Sequence, residues 1–186
     1  MDCCGKCNRN GSPSTGLKRH GRSGQQAYRH KEVATVEIAV APMALFELLD
    51  DHERLASHMM QSSSMMAGSS MHFAFDHGRG RMPGSRIGMT GKALGLSLEV
   101  SEIVTERDPP HRKVWETDGT PRLLVIGAYR MGFDIVPREQ GSRLRVFIEY
   151  DLPAWPWRPL GLVAGRFYAR WCVRSMANDA AGGIAG

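Results

Sequence analysis

The stretch RLLVIGAYRMGFDIVP, Arg122 to Pro137, sets the odd positions Leu123, Val125, Gly127, Tyr129, Met131, Phe133 and Ile135 against even positions that include Arg130 and Asp134. One apolar parity and one polar parity predict a strand with one face on a core and the other in solvent. The next run, SRLRVFIEYDLP from Ser142 to Pro153, repeats the pattern: Leu144, Val146, Ile148, Tyr150 and Leu152 oppose Arg143, Arg145, Glu149 and Asp151. Only REQGS, residues 138–142, joins the two, so they are predicted to pair antiparallel.

Upstream, VATVEIAVAP (33–42) alternates Val36, Ile38 and Val40 with Thr35, Glu37 and Ala39, a further half-buried strand. Pro42 ends it and suits the first turn of a short helix carrying Leu45, Phe46, Leu48 and Leu49. Asp50 or Asp51 is placed to cap a second short helix through HERLASHMM (52–60). SMHFAFD (70–76) puts Met71, Phe73 and Phe75 on one face, and a Gly-rich turn follows. Two strands then run to the stop at Pro109 and Pro110, with Ile87 and Met89 in the first and Leu94, Leu96, Leu98 and Val100 in the second. RKVWETDG (112–119) is another short strand. After AWPWRP comes a proline-free run from Leu160 to about Ala180, with Leu160, Val163, Phe167 and Trp171 at helical spacing, and AAGGIAG (180–186) is expected to fray.

Strand, two short helices, about six strands and a long helix form runs of one element type, which predicts an α+β fold with an antiparallel sheet. The long helix must bury its apolar stripe on the sheet's apolar face.

A chain of 186 residues suits one domain. The net charge of +5 is not spread over it. Residues 1–31 hold seven Lys and Arg against the single acid Asp2, so that segment alone is +6 and the rest is −1. With almost nothing apolar, residues 1–31 read as a disordered basic tail, and 32–180 as the folded domain. A near-neutral body argues against specific nucleic-acid binding. Cys4, Cys7 and His20 begin like a zinc finger, but Gly24 and Gln25 stand where the second histidine is needed. Cys3, Cys4 and Cys7 cluster far from Cys172, unlike a secreted disulfide framework. No apolar stretch approaches the roughly 18 residues of a membrane span, and no signal-peptide core opens the chain. The expectation is a cytoplasmic protein.

VEIAVAPMALFELLDDHERLASHM, LEVSEIVTERDPP and KVWETDGTPRLLVIGAYRMGF, together with the element order, resemble the START-like, or SRPBCC, superfamily over residues 33–180, and most of all its polyketide cyclase/dehydrase and lipid-transport-like branch. The resemblance implies a helix-grip fold, in which a curved antiparallel sheet wraps around a long C-terminal helix and encloses a cavity for a hydrophobic or aromatic small molecule. Parity then assigns the ligand-facing residues: Phe73, Phe75, Met89, Leu98, Trp115, Val125, Gly127, Tyr129, Met131, Phe133, Ile148 and Tyr150 on the sheet, with Phe167 and Trp171 opposite. Gly127 leaves a gap that either a ligand or the long helix fills.

The ionisable strand residues Glu99, Arg130, Asp134, Arg143, Arg145, Glu149 and Asp151 fall on the other parity, so no catalytic residue is assigned. Tyr129, Tyr150, Thr117 and His58 are the polar groups considered for the interior. Carriage or sequestration of the ligand is the first expectation, a cyclase or dehydratase using the same cavity the second, and an interaction protein with a closed core the third. No cofactor or metal is called for. The Met-rich stretch SHMMQSSSMMAGSSMHF (57–73) suits a lid or plain packing better than a metal site, and Trp155 and Trp157 suit a hydrophobic lip beside the long helix.

Overall fold

The computed structural model describes residues 27–51, 71–93 and 95–183. β1 (His30–Ile38) leads into α1 (Pro42–Asp50). Six further strands follow: β2 (Met71–Phe75), β3 (Arg86–Ala93), β4 (Leu96–Asp108), β5 (Arg112–Thr117), β6 (Tyr129–Arg138) and β7 (Gly141–Tyr150). The chain then ends in α2 (Arg158–Gly182). The strands form one antiparallel, curved sheet in the order β1-β7-β6-β5-β4-β3-β2. The second short helix, His58 and most of the Met-rich stretch lie outside the described residues.

Alternation is what makes the sheet one-sided. Tyr129, Met131, Phe133 and Ile135 of β6 and Leu144, Val146, Ile148 and Tyr150 of β7 are all buried in one core. Arg130 and Asp134 point the other way, to Glu106 and to Arg112 and Arg145 respectively. The β6–β7 register runs unbroken from Tyr129↔Tyr150 to Arg138↔Gly141 across a two-residue loop. α1 closes one end of the core with Leu45, Phe46 and Leu49, the Phe46 ring meeting Phe133 edge-on at 5.6 Å. Each such side chain removed from water is worth about 1.5–3 kcal/mol.

The structure departs from the sequence pattern in two places. The strand predicted from Arg122 begins only at Tyr129, and Leu123–Ala128 is a loop held by a single bridge, Glu99↔Arg122, at its start. At its end Gly127 N–H donates to Asp151 O and Asp151 N–H to Ala128 O. Val125 and Gly127 therefore do not sit on the sheet's inner face. The space beside Gly127 is taken by the Leu152 backbone, since a Cβ there would lie 2.7 Å from Leu152 O.

The second departure concerns α2, which turns a different stripe to the sheet. Gly161, Gly165, Ala169, Cys172, Val173, Met176, Ala177 and Ala180 are buried, whereas Leu160, Val163 and Phe167 are exposed. The reason is proximity. A Cβ on Gly165 would come within 2.8 Å of Val125 O, and one on Gly161 would collide with the Pro153 ring. The loop that replaces the expected strand forms the floor of the helix, and only small residues let backbone approach backbone so closely.

Candidate functional site

β4 carries its inward parity further than its apolar residues do. Leu98, Val100, Glu102 and Val104 are all buried, so a carboxyl group stands where the pattern calls for an aliphatic side chain. Tyr129 Oη of β6 donates to Glu102 Oε1, and the Trp115 indole of β5 supplies a second hydrogen bond. Burial pushes the Glu102 carboxyl up to about 7, against the pull of those two donors, because neither carries a charge. The Tyr129 phenol is driven well above its ordinary value by burial and by the facing carboxylate, so it remains a proton donor.

Opposite the pair, α2 presents Tyr168 and Cys172, one turn apart and sharing a hydrogen bond. Burial raises the Cys172 thiol to about 12, which removes it as a nucleophile near neutrality. The neighbouring Cys172 sulfur and burial hold Tyr168 well above the usual phenol range. The described interior thus brings together one acid poised near neutrality, two neutral phenols and an indole, an arrangement able to hold and pass a proton beside an apolar surface.

The other end of the interior is polar in a different manner. Lys113 is fully buried, with Nζ 2.6 Å from Asp50 Oδ1 and 3.0 Å from Asp50 O at the end of α1. Arg107 reaches the same carboxylate from β4 at 2.9 Å. Burial alone would raise Asp50, but the bonds from Arg107 and Lys113 hold it below the usual carboxylate range. Burial lowers Lys113 to about 8 despite its partner. This cluster seals the end of the core.

Beside the Glu102 pair the surface opens instead. A solvent-connected cleft of about 650 Å³ is walled by Leu123, Leu124, Leu152, Trp155 and Trp157, with Thr117 and Gly127 among its lining. Thr117 is the cross-strand partner of Glu102 and accepts the Tyr129 N–H at 3.3 Å, so the cleft wall lies one residue from the buried pair.

Of the ligand-facing residues expected from parity, Trp115, Tyr129, Met131, Phe133, Ile148 and Tyr150 are buried in the one core, and Leu98 is buried outside it. Met89 and Trp171 are half-buried against the same core. Phe73 and Phe75 are half-buried on edge strand β2, their rings stacked 6.3 Å apart. Phe167 is 74% exposed and faces away from the interior. Glu102, Tyr168, Cys172 and Lys113 are additions that parity alone does not supply. A signal for Glu102 exists in the sequence: the alternation of Leu98 and Val100 continues through position 102 to Val104. Among the described residues no group of three or more His, Cys, Asp or Glu is placed to hold a metal ion, and no helix is long and apolar enough to cross a membrane.

No family model and no curated protein matches the sequence. Solved structures do match its fold. A protein of Thermus thermophilus is 15% identical, with a TM-score of 0.59 over 82% of this chain and 95% of its own. Norcoclaurine synthase from Thalictrum flavum, solved in complex with dopamine and hydroxybenzaldehyde, is 17% identical, with a TM-score of 0.57 over 84% of this chain and 86% of that one. Ara h 8.0201 is 13% identical, with a TM-score of 0.52 over 81% and 97%. With its seven-stranded curved sheet and long terminal helix, the chain has the Bet v1/START-like helix-grip fold.

Proposed function

We infer that this domain, residues 32–180 behind a basic segment, binds a hydrophobic or aromatic small molecule between the inner face of the sheet and α2, admitted at the cleft beside Trp155 and Trp157. The carrying observation is Glu102: a carboxyl among Leu98, Val100 and Val104, bonded among the described residues by the neutral Tyr129 phenol and Trp115 indole. In a closed core such a group costs stability and returns nothing, whereas a ligand hydroxyl, amine or carbonyl gives it a purpose. The half-buried faces of Phe73, Phe75, Met89 and Trp171 supply apolar contact on the same side. A buried free thiol at Cys172 and the clustered N-terminal cysteines favour the cytoplasm as its compartment.

Native mass spectrometry of the protein purified from its own host tests this reading. A stoichiometric nonpolar adduct, weakened in Trp115→Ala, is expected. Protein that carries no adduct and takes up none of a panel of aromatic and lipid probes refutes it.

A second reading is favoured by the same pair. A carboxyl at about 7 beside a phenol that stays protonated is suited to take a proton from carbon next to a carbonyl and to donate to the oxygen on which charge develops, as a cyclase or dehydratase requires. Turnover of an aromatic polyketide mimic, with an acid limb near pH 7 that disappears in Glu102→Gln and a rate that falls in Tyr129→Phe, supports the enzyme. Adduct retained in both variants without turnover supports the carrier.

A further inference from the structure

The outward face of α2 is apolar where the inward face is made of small residues. Val163 and Phe167 are 73% and 74% exposed, Leu160 lies on the same stripe, and Trp155, 80% exposed, stands at the helix's N-terminal end. Large apolar side chains gathered in this way on a surface mark a contact. Around them the helix carries Arg166, Arg170 and Arg174, with Arg158 in its first turn, and no Asp or Glu occurs between Asp151 and Asp179. Arg166 and, at longer range, Arg170 lean on Glu32 of β1, while no carboxylate is paired with Arg158 or Arg174 among the described residues.

We propose that this face of α2, with Trp155 at its head, docks the domain on an anionic phospholipid surface. Tryptophan and phenylalanine on one side with arginine alongside is the pattern of a helix that lies in the plane of a bilayer, where the rings sit at the headgroup boundary and the guanidinium groups meet lipid phosphates. Charge complementarity chooses this occupant over a second copy of the chain. In a two-fold interface the arginine rows of both copies would be brought together with Glu32, already paired to Arg166, as the acid beside them. The residues ahead of β1 hold six Lys and Arg against the single acid Asp2 and add to the same attraction. Trp155 and Trp157 also wall the cleft, so docking brings its mouth against the membrane. The surface stands on its own, whether or not the interior holds a ligand.

Co-sedimentation of the full chain with phosphatidylcholine vesicles, with and without roughly a third of phosphatidylserine, tests the proposal. The chain is expected to bind the anionic vesicles roughly tenfold more tightly, and the binding is expected to weaken with salt. Val163→Ser with Phe167→Ser should lose roughly tenfold in affinity with the far-ultraviolet circular dichroism unchanged, since both side chains are already in water. Arg170→Ala with Arg174→Ala should lose affinity for anionic vesicles only. Trp155 emission should shift to the blue on binding. Absence of vesicle association overturns the proposal. So does full binding by the Val163 and Phe167 variant, which would leave the basic segment as the sole attachment, or a dimer in light scattering that the same variant dissolves.

Discussion

Asp50 and Glu102 are both buried carboxyl groups on the inner side of one sheet, and the protein drives them in opposite directions. Asp50 lies under α1 between Arg107 and Lys113, so its charge is matched and its carboxyl stays ionised below the usual range. Among the described residues Glu102 receives the Tyr129 phenol and the Trp115 indole, and burial prevails. The difference lies in what answers the charge: cations make a seal, whereas neutral donors leave a proton in play near pH 7. The first arrangement locks a charge in place, and the second leaves a carboxyl that titrates near neutrality.

The linkage signs follow the same division. Glu102 is raised from 4.5 in the unfolded chain to about 7 in the folded one. Its contribution to stability is therefore fully present below 4.5 and is lost as pH rises to about 7. Asp50 is lowered from 3.8, so its contribution is present above that value and is lost as pH falls through the folded value.

Four variants probe the contrast. Lys113→Met removes one of the two cations from a buried carboxylate and should cost about 3 kcal/mol in urea unfolding near pH 7, the largest loss of the set. Glu102→Gln should gain up to roughly 3 kcal/mol over the wild type at about pH 8 and nothing at about pH 4, with the difference growing between 4.5 and 7. Parallel stability profiles across that window would show that Glu102 is not the group that titrates. Gly127→Leu forces a side chain onto the Leu152 carbonyl and should cost about 1–3 kcal/mol, with no loss of interior ligand capacity beyond that unfolding. Phe167→Ser, on the outer side of α2, should shift the thermal midpoint hardly at all, within about 0.5 kcal/mol. A large loss there would mean that this face is covered in the folded protein.

The fold is legible because β6 and β7 keep Tyr129, Met131, Phe133 and Ile135 and Leu144, Val146, Ile148 and Tyr150 on one parity, and the β6–β7 connection is too short for anything but a hairpin. The site is only half legible. Parity places Tyr129, Met131, Phe133, Ile148 and Tyr150 inward, yet it passes over an acid in an apolar series at Glu102, since hydropathy patterns end where a polar residue begins. The orientation of α2 is hidden for a related reason. Periodicity selects the stripe of large apolar residues, Leu160, Val163 and Phe167, while the contact with Val125 O and Pro153 requires Gly161 and Gly165. Closeness of backbones leaves no mark on a hydrophobicity profile.

The pairing of β1 with β7 joins His30 to Tyr150 and Lys31 to Glu149. During synthesis the first strand must therefore wait while roughly 120 residues are translated, on the order of 6–24 s at ordinary ribosomal speeds. Through that interval Val36 and Ile38 have no β-partner, and β7, once made, has an open edge of its own. Closing β1 onto β7 is thus the longest-range strand pairing in the sheet.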